Sequence, residues 1–177
     1  AYVRFGQWEK ILKVSKPDVD LKYPMGVWHY ARGVAFTAMG KMDEARAELK
    51  LLQTLAEDHE LKNVTVWEIN NAQNVLMIAA LVLEGEVEAK DLNFEQSIKV
   101  LRQAISLEDA LNYNEPSDWH YPVRQSLGAI LLEAKDYLGA EKAYREDLST
   151  FPNNGWSLFG LQKSLLKQGK NDEANLV

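Results

Sequence analysis

RQSLGAILLEAKDYLGAEKAYREDLSTFP, residues 124–152, places small and large apolar residues at fixed helical offsets in two consecutive segments. Leu127, Gly128 and, one turn on, Leu131 fall on one side of a first helix, whereas Ala140 and Tyr144 share a face of a second. Gly128 and Ala140 remove side-chain bulk where two antiparallel helices approach closely, and Leu127, Leu131 and Tyr144 fill the space between them. Pro152 closes the unit. The stretch therefore predicts one helix-turn-helix unit.

This spacing resembles the tetratricopeptide repeat, whose period is about 34 residues and whose pattern runs Trp-x2-Leu-Gly-x2-Tyr, then Ala-x3-Phe, then Pro. Arg124 stands where that pattern has Trp, and Leu131 where it has Tyr. Gly33, Phe36, Gly40 and Ala45 occupy the corresponding places in an earlier unit, with Leu49 and Leu52 continuing the inner face of its second helix. In a further unit Gly85 takes the close-packing place, Phe94 the turn aromatic and Ser97 the small position, and Asn93 with Gln96 forms a candidate capping box. A stripe of Val66, Ile69, Ala72, Leu76, Ala79 and Leu83 predicts one long helix running from near Asn63 through Glu86.

Phe5, Trp8, Ile11 and Leu12 lie at helical spacing behind Gly6, so the opening reads as the second half of a unit, ended by Pro17. Gly155 begins a last unit carrying Trp156, Leu158, Leu161, Leu165, Gly169 and Ala174. The expected architecture is all-α, a single domain over 1–177: a half-repeat at 1–18, repeats at about 24–60, 63–111 and 117–153, and a partial repeat at 154–177. Stacked, such antiparallel helix pairs form an α-solenoid, a right-handed superhelix with a concave side lined mainly by first helices. Both ends cut through units, as in a piece of a longer protein.

Beyond the generic repeat, the phrases RFGQWEKIL, WHYARGVAF, LEDALNYNEPSDWHYPVRQSLGAILL and YREDLSTFPNNGWSLFGLQKSL resemble the C-terminal repeat region of a group of longer bacterial tetratricopeptide-repeat proteins. The resemblance covers nearly the whole chain. It implies the fold and names no reaction.

A formal charge of −6 with no Lys/Arg block argues against a nucleic-acid backbone or an anionic membrane surface as partner. No cysteine is present, which removes disulfide and thiolate chemistry. The longest uncharged run, Ile69 to Leu83, opens with Asn70, Asn71, Gln73 and Asn74 and leaves too few apolar residues to span a bilayer. With no signal peptide at the start of the chain, a cytoplasmic protein is expected.

Catalytic spacing is missing throughout. His29, His59 and His120 form no pair at metal-ligand spacing, so neither a metal nor another cofactor is expected. Gly155-Trp156-Ser157-Leu158-Phe159 lacks the second glycine of a nucleophile elbow and has no parallel sheet to hold it. Glu108, Asp109, Glu115 and Asp118 cluster around loops, where solvation is the ordinary reading. Trp28-His29-Tyr30 and Trp119-His120-Tyr121 repeat one tripeptide, yet the first stands five residues before Gly33 and the second nine before Gly128, so the two occupy different places in the frame.

Binding remains. Projected from the repeat frame, the groove takes Tyr30, Val34, Thr37, Val82, Glu86, Gln125, Ala129, Trp156, Phe159 and Lys163. Trp119, Tyr121 and Arg124 at the Asn112–Pro122 loop, and Asn71 with Asn74 one turn apart on the long helix, complete the candidate contact residues. The expected function is a non-catalytic protein–protein interaction scaffold for a peptide or neighbouring domain. Two alternatives are a self-associating structural module packed on upstream repeats, as a homo-oligomer or within one chain, and an enzyme with a pocket beside residues 114–121.

Overall fold

The computed structural model describes residues 1–177. It is mostly helical: α1 (Trp8–Leu12), α2 (Lys22–Ala38), α3 (Met42–Ala56), α4 (Ala72–Lys90), α5 (Phe94–Asp109), α6 (Val123–Glu133), α7 (Tyr137–Thr150), α8 (Gly155–Lys167) and α9 (Asn171–Ala174). Each helix packs on its successor, and α2 also touches α4, α4 touches α6, and α6 touches α8. No helix is long and apolar enough to cross a membrane.

Side-chain spacing explains which helix is central. In α3 the buried residues Ala45, Glu48, Leu49, Leu52 and Ala56 form a single stripe at offsets of three and four, so the opposite face stays in water. Helix α4 instead buries residues all round, among them Val75, Leu76, Ile78, Ala79, Val82, Leu83 and Val87, because α2, α3, α5 and α6 surround it. Glycines sit where neighbours press closest. A Cβ at Gly128 of α6 would stand 2.6 Å from the Tyr144 ring, and one at Gly160 of α8 would collide with the same ring from the other side. Tyr144 of α7 thus fills the space that both glycines leave open.

The turns reverse the chain in the same way with different residues. Gly40 adopts φ +73° between α2 and α3, whereas Leu92 and Lys135 adopt φ 64° and 63° in the turns after α4 and α6. A side chain in that left-handed region costs roughly 1–2 kcal/mol, which glycine avoids.

Three local expectations are corrected. The long helix does not begin near Asn63. Thr65–Val66 and Asn70–Asn71 form a two-stranded antiparallel ribbon, pairing Thr65 with Asn71 and Val66 with Asn70, so the fold is not strictly all-α. Trp67 and Glu68 turn it at φ 53° and 62°, and helix α4 starts only at Ala72. The helical stripe failed because Val66 and Ile69 satisfy an apolar spacing while the backbone between them is left-handed, which side-chain periodicity does not register. Second, Asn93 does not cap α5; its side-chain amide donates instead to Glu88. Third, α1 ends at Leu12, five residues before Pro17.

Candidate functional site: a cleft across α2, α4, α6 and α8

The last turns of α2 and α4, one side of α6 and the start of α8 face one open cleft of about 440 Å³. Residues 1–7 and α1 close one side of it, with Val3, Arg4 and Trp8 in the wall. Val34, Thr37, Glu86, Gln125, Ala129 and Trp156, all projected from the repeat frame, come together here, as does Tyr121 from the loop before α6.

Glu86 stands out chemically. It is half-buried, makes no hydrogen bond or ion pair within the chain, and loss of hydrating water pushes its carboxyl up to about 7; Lys90 opposes this and Glu133 adds to it. Near neutrality the group therefore exists in both its donor and its acceptor form. Gln125 is half-used: its Oε1 accepts from Arg4 Nη1 at 2.7 Å, while its Nε2 is buried with no partner. Arg4 lies 5.6 Å from the Tyr121 ring and 5.1 Å from the Trp156 ring, a cation between two aromatic faces. Partial burial lowers its pKa. Trp156 itself remains 54% exposed, and Phe159 one turn on is 57% exposed under Lys163, whose ammonium stands 4.5 Å from the ring.

The other candidate residues lie elsewhere, and Val82, projected into the groove, is fully buried in the core. Tyr30 and Trp119 are core residues at 3% and 6% exposure, with their rings 5.1 Å apart edge to face. Tyr30 reaches the cleft wall only indirectly, through its hydroxyl, 3.1 Å from that of Tyr121. Burial raises the pKa of both phenols, so they stay protonated. Arg124 forks onto Asp109 at 2.7 and 2.8 Å on the opposite side of α6. Asn71 and Asn74 are not one turn apart on a helix face: Asn71 is the extended N-cap of α4, and its side chain accepts from the Asn74 backbone N–H at 2.8 Å. That bond satisfies a helix-end donor, so Asn71 serves the helix start.

Arg4, Trp8, Lys90 and Glu133 also line the cleft. The repeat frame could not place Arg4, which meets Gln125 across 121 residues of chain, whereas Lys90, one helical turn beyond Glu86, was within reach of the frame. No nucleophile stands beside a base in this cleft, and no three His, Asp or Glu side chains anywhere in the chain converge as metal ligands. What the arrangement offers is a hydrogen-bond donor, a carboxyl group and two aromatic faces along one surface.

Compared with known proteins, the chain is matched by no family model, no curated protein and no solved structure.

Proposed function

We propose that the chain is a non-catalytic helical-repeat scaffold of the tetratricopeptide type, and that its first-helix surface binds an extended peptide segment of a partner. The serial packing of α2, α4, α6 and α8 supports the repeat reading, since a stack of helix pairs brings alternate helices side by side. One observation carries the binding reading: Glu86 and the Gln125 Nε2 have unspent hydrogen-bonding capacity in the same cleft as the exposed Trp156. Peptide backbone supplies the matching C=O and N–H groups at close intervals, and a flat apolar side chain would cover Trp156.

An immobilised peptide array probed with the full chain tests this. Bound sequences should lose at least tenfold in affinity on Trp156→Ala and on Glu86→Gln, with helicity retained by circular dichroism. Peptide binding undiminished in both variants would sink the assignment of this cleft. Self-association is a second reading, favoured by Phe159, Leu166 and Leu176 at 57%, 49% and 88% exposure on α8 and beyond α9. Light scattering separates it: a dimer that persists on dilution and dissociates on Phe159→Ser would support this second reading.

A further inference from the structure

The phrase NYNEPSDWHYPVR, residues 112–124, builds a second cavity that the peptide-binding reading leaves unused. It measures about 580 Å³ and lies between the end of α5, this loop and the end of α7. Five carboxylates line it, from Glu108, Asp109, Glu115, Asp118 and Asp147, against the single guanidinium of Arg124.

Two of these carboxylates are already matched, and Glu115 is exposed to water. Asp109 holds Arg124, and Asp118 accepts from Asn70 Nδ2 at 2.7 Å and from Asn114 Nδ2 at 2.7 Å. The two that are withdrawn from water, Asp147 and Glu108, are under-used. Asp147 is 1% exposed; its Oδ2 accepts from Ser157 Oγ at 2.5 Å and Asn154 Nδ2 at 2.7 Å, neither of which lines the cavity, while its Oδ1 is buried with no partner. Glu108 receives only the Val123 backbone N–H, at 3.0 and 3.2 Å to its two oxygens. Loss of hydrating water pushes its carboxyl up to about 7, and the Asp147 charge adds to that rise. A buried acceptor left unpaired costs roughly 1–3 kcal/mol, so an Asp in this position is the exception among buried polar groups.

We infer that this cavity is a binding site for a primary alkylammonium group, held by Asp147 Oδ1 and Glu108. An ammonium supplies three donors to two under-used carboxylates and offsets the surplus negative charge. A divalent cation fits less well, because no three ligating groups converge. The apolar stem of an alkylammonium finds Leu111, Trp119 and Phe151 in the walls. Such a group could be carried by a free diamine or by a lysine side chain of a peptide.

Isothermal titration of the full chain with 1,5-diaminopentane, and in a second arm with a lysine-centred pentapeptide blocked at both ends, tests the assignment. Saturable binding in either arm is expected, weakened at least tenfold by Glu108→Gln and by Asp147→Asn, and unchanged by Glu57→Gln, an exposed residue on another part of the surface. Binding in one arm only identifies which source fits. Glu108→Gln keeps an acceptor for the Val123 N–H, so it decides the matter if Asp147→Asn fails to fold. No saturable binding in either arm, or equal weakening in Glu57→Gln, would overturn the site; neither result bears on the cleft at Trp156.

Discussion

The tripeptide Trp-His-Tyr occurs twice, and the two copies are handled in opposite ways. In α2, Trp28 lies half-buried at the surface, donating its indole N–H to Val14 O at 3.1 Å with the Arg32 guanidinium 4.5 Å from its ring. His29 points inward and bonds Glu48 at 2.6 Å, and Glu48 also accepts from Arg32 Nε at 2.6 Å. Ahead of α6 the order inverts: Trp119 is buried, whereas His120 keeps more than a third of its surface exposed. A helix turns successive side chains by about 100°, but the Ser117–Tyr121 stretch is not helical, so identical neighbours point in different directions. The copies then meet, Tyr30 against Trp119 and hydroxyl to hydroxyl with Tyr121. Local conformation, not residue identity, decides which member of a motif becomes core.

The contrast can be broken most decisively at the tryptophans. Trp119→Ala should destabilise the chain by about 3–5 kcal/mol in urea unfolding, because it empties a core position. Trp28→Ala should cost about 1 kcal/mol, the worth of one hydrogen bond and one cation–π contact. Equal losses would mean that the two copies are equivalent after all. At the histidines, His29→Ala should cost roughly 1–3 kcal/mol by leaving the buried Glu48 with one partner fewer, and His120→Ala should stay within about 0.5 kcal/mol.

A double-mutant cycle of Tyr30→Phe and Tyr121→Phe sharpens the point where the copies join. A coupling of about 0.5–1.5 kcal/mol is expected; additive single losses would show that the hydroxyl pair is incidental. The last test uses pH and concerns Glu86, whose charge bears on both phenols. Its folded-state pKa of about 7 exceeds the ordinary 4.5, so the native chain holds a proton that the unfolded chain releases. Stability should therefore fall as pH rises from 4.5 through 7, with Glu86→Gln making the decline shallower in thermal melts. Glu108, raised for the same reason, keeps some of the slope. His120, held down to about 4 chiefly by partial desolvation, acts in the opposite sense: it loses stability as pH falls below 6.5, an effect limited by its exposure.

Helix pairing was legible wherever a small residue faced a large one at helical spacing. Gly128 against Tyr144 and Gly85 against Leu101 are such pairs, and both are local, separated by only 16 residues in sequence. The cleft was partly legible because Val34, Glu86, Gln125 and Trp156 each fall on the side of their helix that the repeat spacing turns toward the groove. Asn71 was misplaced because its helix assignment rested on apolar spacing alone, whereas Trp67 and Glu68 turn the backbone before α4 begins.

By itself, the sequence determined that the chain builds antiparallel helix pairs and that none of its helices spans a membrane, because periodicity and hydropathy act over one or two turns of backbone. Only the tertiary structure decided that Arg4 sits between Tyr121 and Trp156, that the two tripeptides meet, and that Asp147 keeps an unpaired oxygen beside the 112–124 loop. Those juxtapositions join residues up to 152 positions apart. They depend on how helices distant in sequence pack against one another, a sum of contacts that no local pattern encodes.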